Sequence, residues 1–523
     1  MSCDVLIGID AGTSVLKAVA FSLDGQQLDQ FSLPNRFDSL PNGGAEQDMA
    51  RTWVDCAACL RGLAEKVPCL AQRTALVSVT GQGDGTWMID SAGEPVGPAW
   101  LWLDARSSSL VESLRASERG RDHYEVTGCG LAACQQGPQL AWMLQHTPES
   151  LARAATAFHC KDWLYFKLTG IRATDPSEGL FSFGDYRTRD YSDRVIGGLG
   201  LSGCRGLMAP MVDSTEQQHV LTEGAAAATG LLAGTPVALG FVDIVCSALG
   251  SGLYDPAGSS GCTIIGSTGM HIRMVGGAGG VIRNAQMSGY TIAWPIPGQF
   301  AQVQSNMAST LNIDWLLDMM RGAVRQGGVE FTRDELLRSQ EDRIAKSAPA
   351  QIIYHPYILE AGERGPILDS AARASFIGLG EYHTYADMMR AVFEGLAYSA
   401  RDCYAAMGSI PSEVRLSGGA SRNPALRGIM AAVLGSKVRT TTRKEAGAAG
   451  AAMIGAVGAG HYSTMADCAA DWVLPYLDPI EEPDPDLVGA YDKMFPVYLS
   501  ARKALTPIWR QLGSRQAAVT SAP

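Results

Sequence analysis

The stretch VLIGIDAGTSVLKAVAF, Val5–Phe21, sets a carboxylate, Asp10, near the middle of what reads as a buried apolar strand. Gly12, Thr13 and Ser14 follow as a turn, then a lone Lys17, then a second apolar run. The pattern predicts a hairpin of strands Val5–Ile9 and Leu16–Phe21, with Asp24-Gly25 as the next turn. A turn of glycine and hydroxyl residues exposes backbone N–H groups and neutral donors that suit phosphate oxygens. The pattern returns in GCTIIGSTGMHIRMV, 261–275, as strand, Gly266-Ser267-Thr268 turn and strand. One such turn serves any hairpin, but two, each opening a half of the chain, predict two related halves.

The rest of the chain narrows the function. No Gly-Lys pair occurs, so there is no Walker A loop, and no GxGxxG follows a strand. A bound nucleotide is therefore expected between opposed hairpins. The 523 residues call for two or more domains. Only 18% of them are charged and no long charge run stands out, which argues against extended disorder. The net charge of −11 disfavours a nucleic-acid or anionic-membrane partner, since phosphate backbones need clustered Lys and Arg. The N-terminal apolar stretch is broken by Asp10 and has no basic flank, so no secretory signal is read. The run AGAAGAAMIGAVGAG, Ala446–Gly460, falls short of the roughly 20 apolar residues of a membrane helix. A cytoplasmic protein is expected. Twelve cysteines are scattered, and the one CxxC, Cys56 and Cys59, reads as one face of a helix rather than a metal site.

Between the hairpins, a helical period covers Arg51–Glu65, and a strand, Ala75–Thr80, runs into the glycine-rich loop GQGDGTW. GTPVALGFVDIVCSALGSG, from Gly234, carries a strand into a helix. Later come the helix YADMMRAVFEGLAYSARDCYAAMG, the strand VRLSGG breaking into ASRNPALRGIMAAVLG, and a Pro/acid linker at Asp478–Asp486. A last amphipathic helix precedes a polar tail, GSRQAAVTSAP, expected to fray.

Asp10-Ala11-Gly12-Thr13-Ser14 with Lys17 resembles the first phosphate motif of the actin-like ATPase superfamily. Within it the chain resembles the FGGY carbohydrate kinases over nearly its whole length. The resemblance rests on LWLDAR (Leu101–Arg106), KDWLYFKLTGIRATDPSE (Lys161–Glu178), GTPVALGFVD (Gly234–Asp243), GERGP (Gly362–Pro366), DMMRAVFEG, SGGASRNPALRGIMA and EAGAAGAA in that order. GQGDGTW, HCKDWLY, ATDPSE, YHPYILEAGERGP and RDCYAAMG are similar to members that phosphorylate erythritol. The chain departs from the family's first signature at Gln139, where Lys is common, and reads Ser417-Gly418-Gly419 for the usual three glycines.

The resemblance implies an α/β fold of two actin-like (ribonuclease H-like) domains, 1–245 and 246–485, with a nucleotide cleft between them and a helical tail over 486–523. It implies ATP and Mg²⁺ as cofactors. Asp243 is the catalytic base and lies near the metal; Asp also caps helices well. By the resemblance Asp10 helps hold Mg²⁺ through water, as hard cations favour, and Thr13 and Ser14 cradle phosphate with Gly12. Lys17 either adds positive charge there or stands at the surface. Gly266, Ser267 and Thr268 form the second phosphate hairpin. Gly418, Gly419 and Asn423 align with the adenosine loop, although a plain strand-to-helix turn is the alternative for the glycines.

Substrate choice is expected in GQGDG. An ionised Asp84 only accepts hydrogen bonds and suits a ligand rich in hydroxyl donors, with Gln82 beside it and Gly83 leaving room. Trp102, with Asp104 on a neighbouring strand, walls the sugar or fills the core. Gln135 contacts substrate in some members. Glu363 and Arg364 read as structural, and His159 as a satisfied core residue. The expected reaction is ATP-dependent phosphorylation of a terminal hydroxyl of a small polyol, erythritol first, with xylulose, xylitol or a related pentose or pentitol as the alternative. A non-kinase actin-like ATPase or a silent sugar sensor is the remote rival. A homodimer is compatible with the family, and no membrane or nucleic-acid partner is expected.

Overall fold

The computed structural model describes residues 3–254 and 259–520, with side chains as far as residue 512. Two α/β domains with mixed six-stranded sheets flank a central cleft. In the first sheet β1 (Val5–Ala11) lies antiparallel to β2 (Val15–Ser22), and β2 antiparallel to β3 (Gln27–Pro34). On its other side β1 is parallel to β4 (Thr74–Gly81), which is parallel to β5 (Pro236–Leu239). The second sheet repeats the plan with β6 (Ser260–Ile265), β7 (Gly269–Val275), β8 (Phe300–Asn306), β9 (Glu413–Ser417) and β10 (Lys437–Thr440). The spatial orders β3-β2-β1-β4-β5 and β8-β7-β6-β9-β10 are the same, strand for strand and direction for direction. They differ in which edge carries a sixth antiparallel strand, His219–Val220 beside β5 and Tyr290–Ala293 beside β8.

β1 is a near-continuous apolar run because helices cover both faces of its sheet. On one face lies Met49–Lys66, whose N-terminus is capped by Asp48 accepting from the Arg51 N–H. Cys56 and Cys59 both point from this helix into the core as free thiols. The other face packs against two helices between the sheets, Asp243–Gly250 and Ala446–Gly458. The small residues of the latter serve close approach. A Cβ on Gly450 would collide with the Cys246 carbonyl oxygen, so any larger residue would push the two helices apart. Among the described residues no helix is long and apolar enough to cross a membrane.

The helix Asp243–Gly250 is continuous across residues 245 and 246, where the sequence reading put a domain boundary. The last helix, Pro485–Thr520, buries Tyr491, Tyr498 and Trp509 against the second domain. The expected fraying of the tail falls on residue 513 onward, outside the described side chains.

Candidate active site

Both glycine-hydroxyl turns sit at the mouth of the cleft. Gly12–Ser14 joins β1 to β2, and Gly266–Thr268 joins β6 to β7. Thr13 and Thr268 both line a cavity of about 210 Å³ between the domains. That is below the roughly 300–1,000 Å³ of pockets for drug-sized ligands and suits a small solute. A larger cavity, about 850 Å³, lies alongside and is lined by Asp10, Lys17, Gly418, Gly419, Lys444 and Gly447 among others. Gly418 has a φ of +89°, and a Cβ there would stand 2.5 Å from the Ile265 carbonyl oxygen. The loop thus hugs the second hairpin, which only glycine permits.

A polar chain fixes the first hairpin. Trp102 donates to Thr13 Oγ1 at 2.8 Å, and Thr13 donates to Gln82 Oε1 at 3.0 Å. Gln82 donates to Gln47, Gln47 to Asn35, and Asn35 back to the Gly12 carbonyl, at 2.9, 2.8 and 2.8 Å. Lys17 is not a free surface lysine, because its ammonium lies 2.8 Å from Glu445. Asp10 faces the same cavity, and a Cβ on Gly447 would stand 2.5 Å from its Oδ2. Burial pushes the Asp10 carboxyl up to about 6, with Lys17 opposing and Glu445 reinforcing the shift.

The small cavity gathers acids. Asp84 sits at φ +57°, a left-handed conformation held by its N–H donating to Glu178 Oε1 at 3.2 Å. Its Oδ2 accepts from the Cys134 thiol at 3.1 Å, while its Oδ1 is buried without a hydrogen bond among the described residues. Burial raises its pKa, offset in part by the thiol. Glu178 Oε2 lies 3.4 Å from His159 Nε2, and His159 Nδ1 lies 3.1 Å from Asp162. Behind them Lys161, fully buried, bridges Asp162 at 2.6 Å and Asp175 at 2.5 Å. Burial lifts Glu178 to about 7 against the pull of His159 and Lys161. Burial alone would depress His159, but Glu178 and Asp162 outweigh it and raise its pKa.

Asp243 opens the helix Asp243–Gly250 and lines the cavity. Val242, not Asp243, holds the N-cap position, and the Ile244 N–H in the first turn partly offsets the upward shift of the Asp243 carboxyl. Ser177 donates to Asp175 and accepts the Val242 N–H at 2.9 Å, and Thr80 donates to the Phe241 carbonyl at 2.6 Å, fixing the turn that presents Asp243. Burial, then the nearby Asp10 and Glu178 charges, push its carboxyl well above the usual range. Asp10 and Asp243 are hard oxygen donors that repel each other, a donor set that fits a divalent cation. Among the described residues no three metal-ligating side chains form a ready cage. Mg²⁺ asks only for one or two carboxylates, completed by phosphate and water oxygens.

Several of the expected residues have protein partners or close neighbours of their own. Gly83 does not leave room for substrate: a Cβ there would stand 2.5 Å from Val242 Cγ2 and 3.1 Å from Glu178 Oε1. Gln135 is fully buried, accepts from the Ala132 N–H and donates to the Gly130 carbonyl, so its amide is spent on the backbone. Gln82 is likewise held within the hairpin network. Asn423 caps the helix Pro424–Leu434 and donates to Glu341 at 3.3 Å. Trp102 lies in a turn rather than a strand and lines the cavity, whereas Asp104 pairs with Arg106 and the Ala45 N–H. Ser14 and Ser267 are exposed at their turns. Glu178, to which the sequence reading gave no role, and Arg364, which it read as structural, both line the cavity. His159 is buried and satisfied by Asp162 and Glu178, as the sequence reading expected of a core histidine.

Residues 5–250 match the N-terminal domain of the FGGY family of carbohydrate kinases, and residues 255–459 match its C-terminal domain. The chain is 50% identical to the erythritol kinase of Brucella abortus (strain 2308), over 98% of each chain. It is 26% identical to the xylulose kinase of Staphylococcus xylosus, over 94% of this chain and 98% of the relative. In structure it is similar to the xylulose kinase of Rhodospirillum rubrum, with a TM-score of 0.86 and 26% identity over 97% of this chain and 100% of that one.

Proposed function

The chain belongs to the FGGY family of carbohydrate kinases, and on that premise we propose that it phosphorylates a terminal hydroxyl of a small polyol, erythritol first. The observation that carries this reading is Asp84: a buried carboxylate oxygen, lacking a partner among the described residues, faces the same small cavity as Asp243. An acceptor of that kind calls for a hydroxyl donor. The repeated strand order around the two hairpins supports two actin-like, ribonuclease H-like domains, with ATP in the larger cavity.

In this reading Asp84 and Glu178 orient the polyol, with Trp102 as a wall. Asp243 accepts the proton of the attacking hydroxyl, which needs hydrogen-bond reach and an ionised carboxylate. The Thr13 and Thr268 turns align the phosphates by backbone N–H and hydroxyl groups. Gly418 and Gly419 let the backbone approach the adenosine. Asp10 and Asp243 would hold Mg²⁺, which when bound neutralises phosphate charge. That cation also favours the ionised forms of both acids, against the upward shift that burial imposes. Closure of the domains excludes water, which would otherwise accept the phosphoryl group.

The test is Mg²⁺- and ATP-dependent ADP release over erythritol, threitol, glycerol, xylitol, D- and L-xylulose, and no sugar. Erythritol is expected to lead in kcat/KM by about tenfold or more, or roughly 1.4 kcal/mol of discrimination. A leading ketose overturns the substrate, and ADP release equal with and without sugar overturns the kinase reading.

A further inference from the structure

The acids of the small cavity, Asp84, Glu178 and Asp243, all come from the first domain. One cationic side chain enters from the other side. Arg364 follows Glu363 in the second domain, and Glu363 is spent on the backbone. Its carboxylate accepts N–H groups from Met307 at 2.9 Å, from Arg364 at 2.8 Å and from Gly365 at 3.3 Å. Asn306 adds a bond to the Gly365 carbonyl at 2.6 Å. The loop backbone is therefore pinned, and the Arg364 side chain is left to reach the cavity.

The Arg364 Nε is buried and makes no hydrogen bond among the described residues, nor does the guanidinium form an ion pair among them. Asp84 Oδ1 shares both properties of burial and lack of a partner. A guanidinium only donates and a carboxylate only accepts, whereas a hydroxyl does both. Leaving either group unmatched inside a protein is costly, so the pair marks a place where one ligand satisfies both.

We propose that Arg364 is a specificity-determining contact to the polyol, donating from the second domain to a hydroxyl on the molecule that Asp84 accepts from in the first. The substrate then bridges the two domains, and binding it favours the closed cleft. This rests on the polyol-kinase reading of the cavity.

The experiment compares the wild type, Arg364→Met and Arg364→Lys on erythritol and on its monodeoxy analogues, each lacking one hydroxyl. Arg364→Met is expected to lower kcat/KM for erythritol by about 10- to 100-fold, chiefly through KM, as fits a lost charge-assisted hydrogen bond. For one analogue, already poor with the wild type, the same variant should cost under about threefold, because the partner hydroxyl is gone. Arg364→Lys should recover part of the loss on erythritol. An equal loss on erythritol and every analogue means a structural role and overturns the inference, as does no loss. If Arg364→Met does not fold, Arg364→Lys is read alone by the same criterion. If the wild type turns over no polyol, the reading of the cavity falls first and the inference with it; uniform losses on an active wild type sink the inference alone.

Discussion

The Trp102 indole N–H donates to Thr13 Oγ1 at 2.8 Å. The wall of the small cavity and the Gly12–Ser14 turn are thus one hydrogen-bonded unit, which in the proposed reading joins the polyol subsite to the nucleotide subsite. Trp102→Phe keeps most of the wall and removes the bond. A neutral hydrogen bond contributes about 1 kcal/mol, so kcat/KM should fall about fivefold, with the change in the KM for ATP. Trp102→Ala removes the wall as well and should also raise the KM for the polyol. Steady-state kinetics with each substrate varied separates the two; a Phe variant that changes only the polyol KM would show that the bond does not order the turn.

Gly83 makes a second prediction, because the space beside it belongs to Val242. A methyl at Gly83 would stand 2.5 Å from Val242 Cγ2, on the residue that precedes Asp243. Overpacking of this kind costs about 1–3 kcal/mol and would shift the backbone that presents the base. Gly83→Ala should lower both kcat and thermal stability, and adding Val242→Ala should restore part of each. Thermal melts and kinetics of the two singles and the double form a cycle. Additive losses would mean that the two residues do not compete for one space.

The hairpins were legible because strand period and turn chemistry are local signals, and both recur in the chain. The site's acids were legible where they sat in or just after a recognisable strand, as Asp10, Asp84 and Asp243 do. Glu178 was not, because what defines it is a bond to Asp84 across 94 residues. Its neighbours in DPSE are ordinary helix-start residues, with Asp175 serving as the cap. Arg364 read as structural for the same reason, because the cavity it lines has its other wall in the first domain. Gln82 and Gln135 show the opposite difficulty: the sequence cannot tell that each amide hydrogen-bonds protein groups, Thr13 and Gln47 for the one and the Ala132 and Gly130 backbone for the other. The useful clue for Glu178 was its place inside a buried run with no local base to pair with.

Asp243→Asn tests the base. The amide keeps the shape and cannot take the proton, so kcat should fall by about 100- to 10,000-fold with little change in the polyol KM. Asp243 is raised by burial and by the charges of Asp10 and Glu178, so the folded state holds its carboxylate at a cost. The ligand-free variant should therefore melt no lower than the wild type near neutral pH. Kinetics and thermal melts check both. A variant that keeps wild-type kcat would remove Asp243 from the chemistry.

Asp10→Asn carries a pH signature. The Asp10 carboxyl stands at 3.8 before burial and at about 6 in the folded protein. A group raised on folding binds its proton more tightly in the folded state. Its contribution to stability is full below the unfolded value and is lost as pH rises through the folded one. At about pH 8 the ligand-free wild type therefore carries an ionised, buried Asp10 that the Asn variant lacks, and the variant should melt a few degrees higher. Below about pH 3, where the wild-type carboxyl is largely neutral in both states, the difference should shrink towards zero. The same substitution should lower kcat/KM by about 100-fold or more, since it weakens charge stabilisation at the phosphates, and should reduce the thermal shift produced by Mg²⁺ with ATP. Melting curves from acid to mild alkali, with and without that nucleotide, measure all of this. A stability difference that does not change with pH would mean that Asp10 is not the strained acid of the cleft, and an undiminished nucleotide shift would place the cation elsewhere.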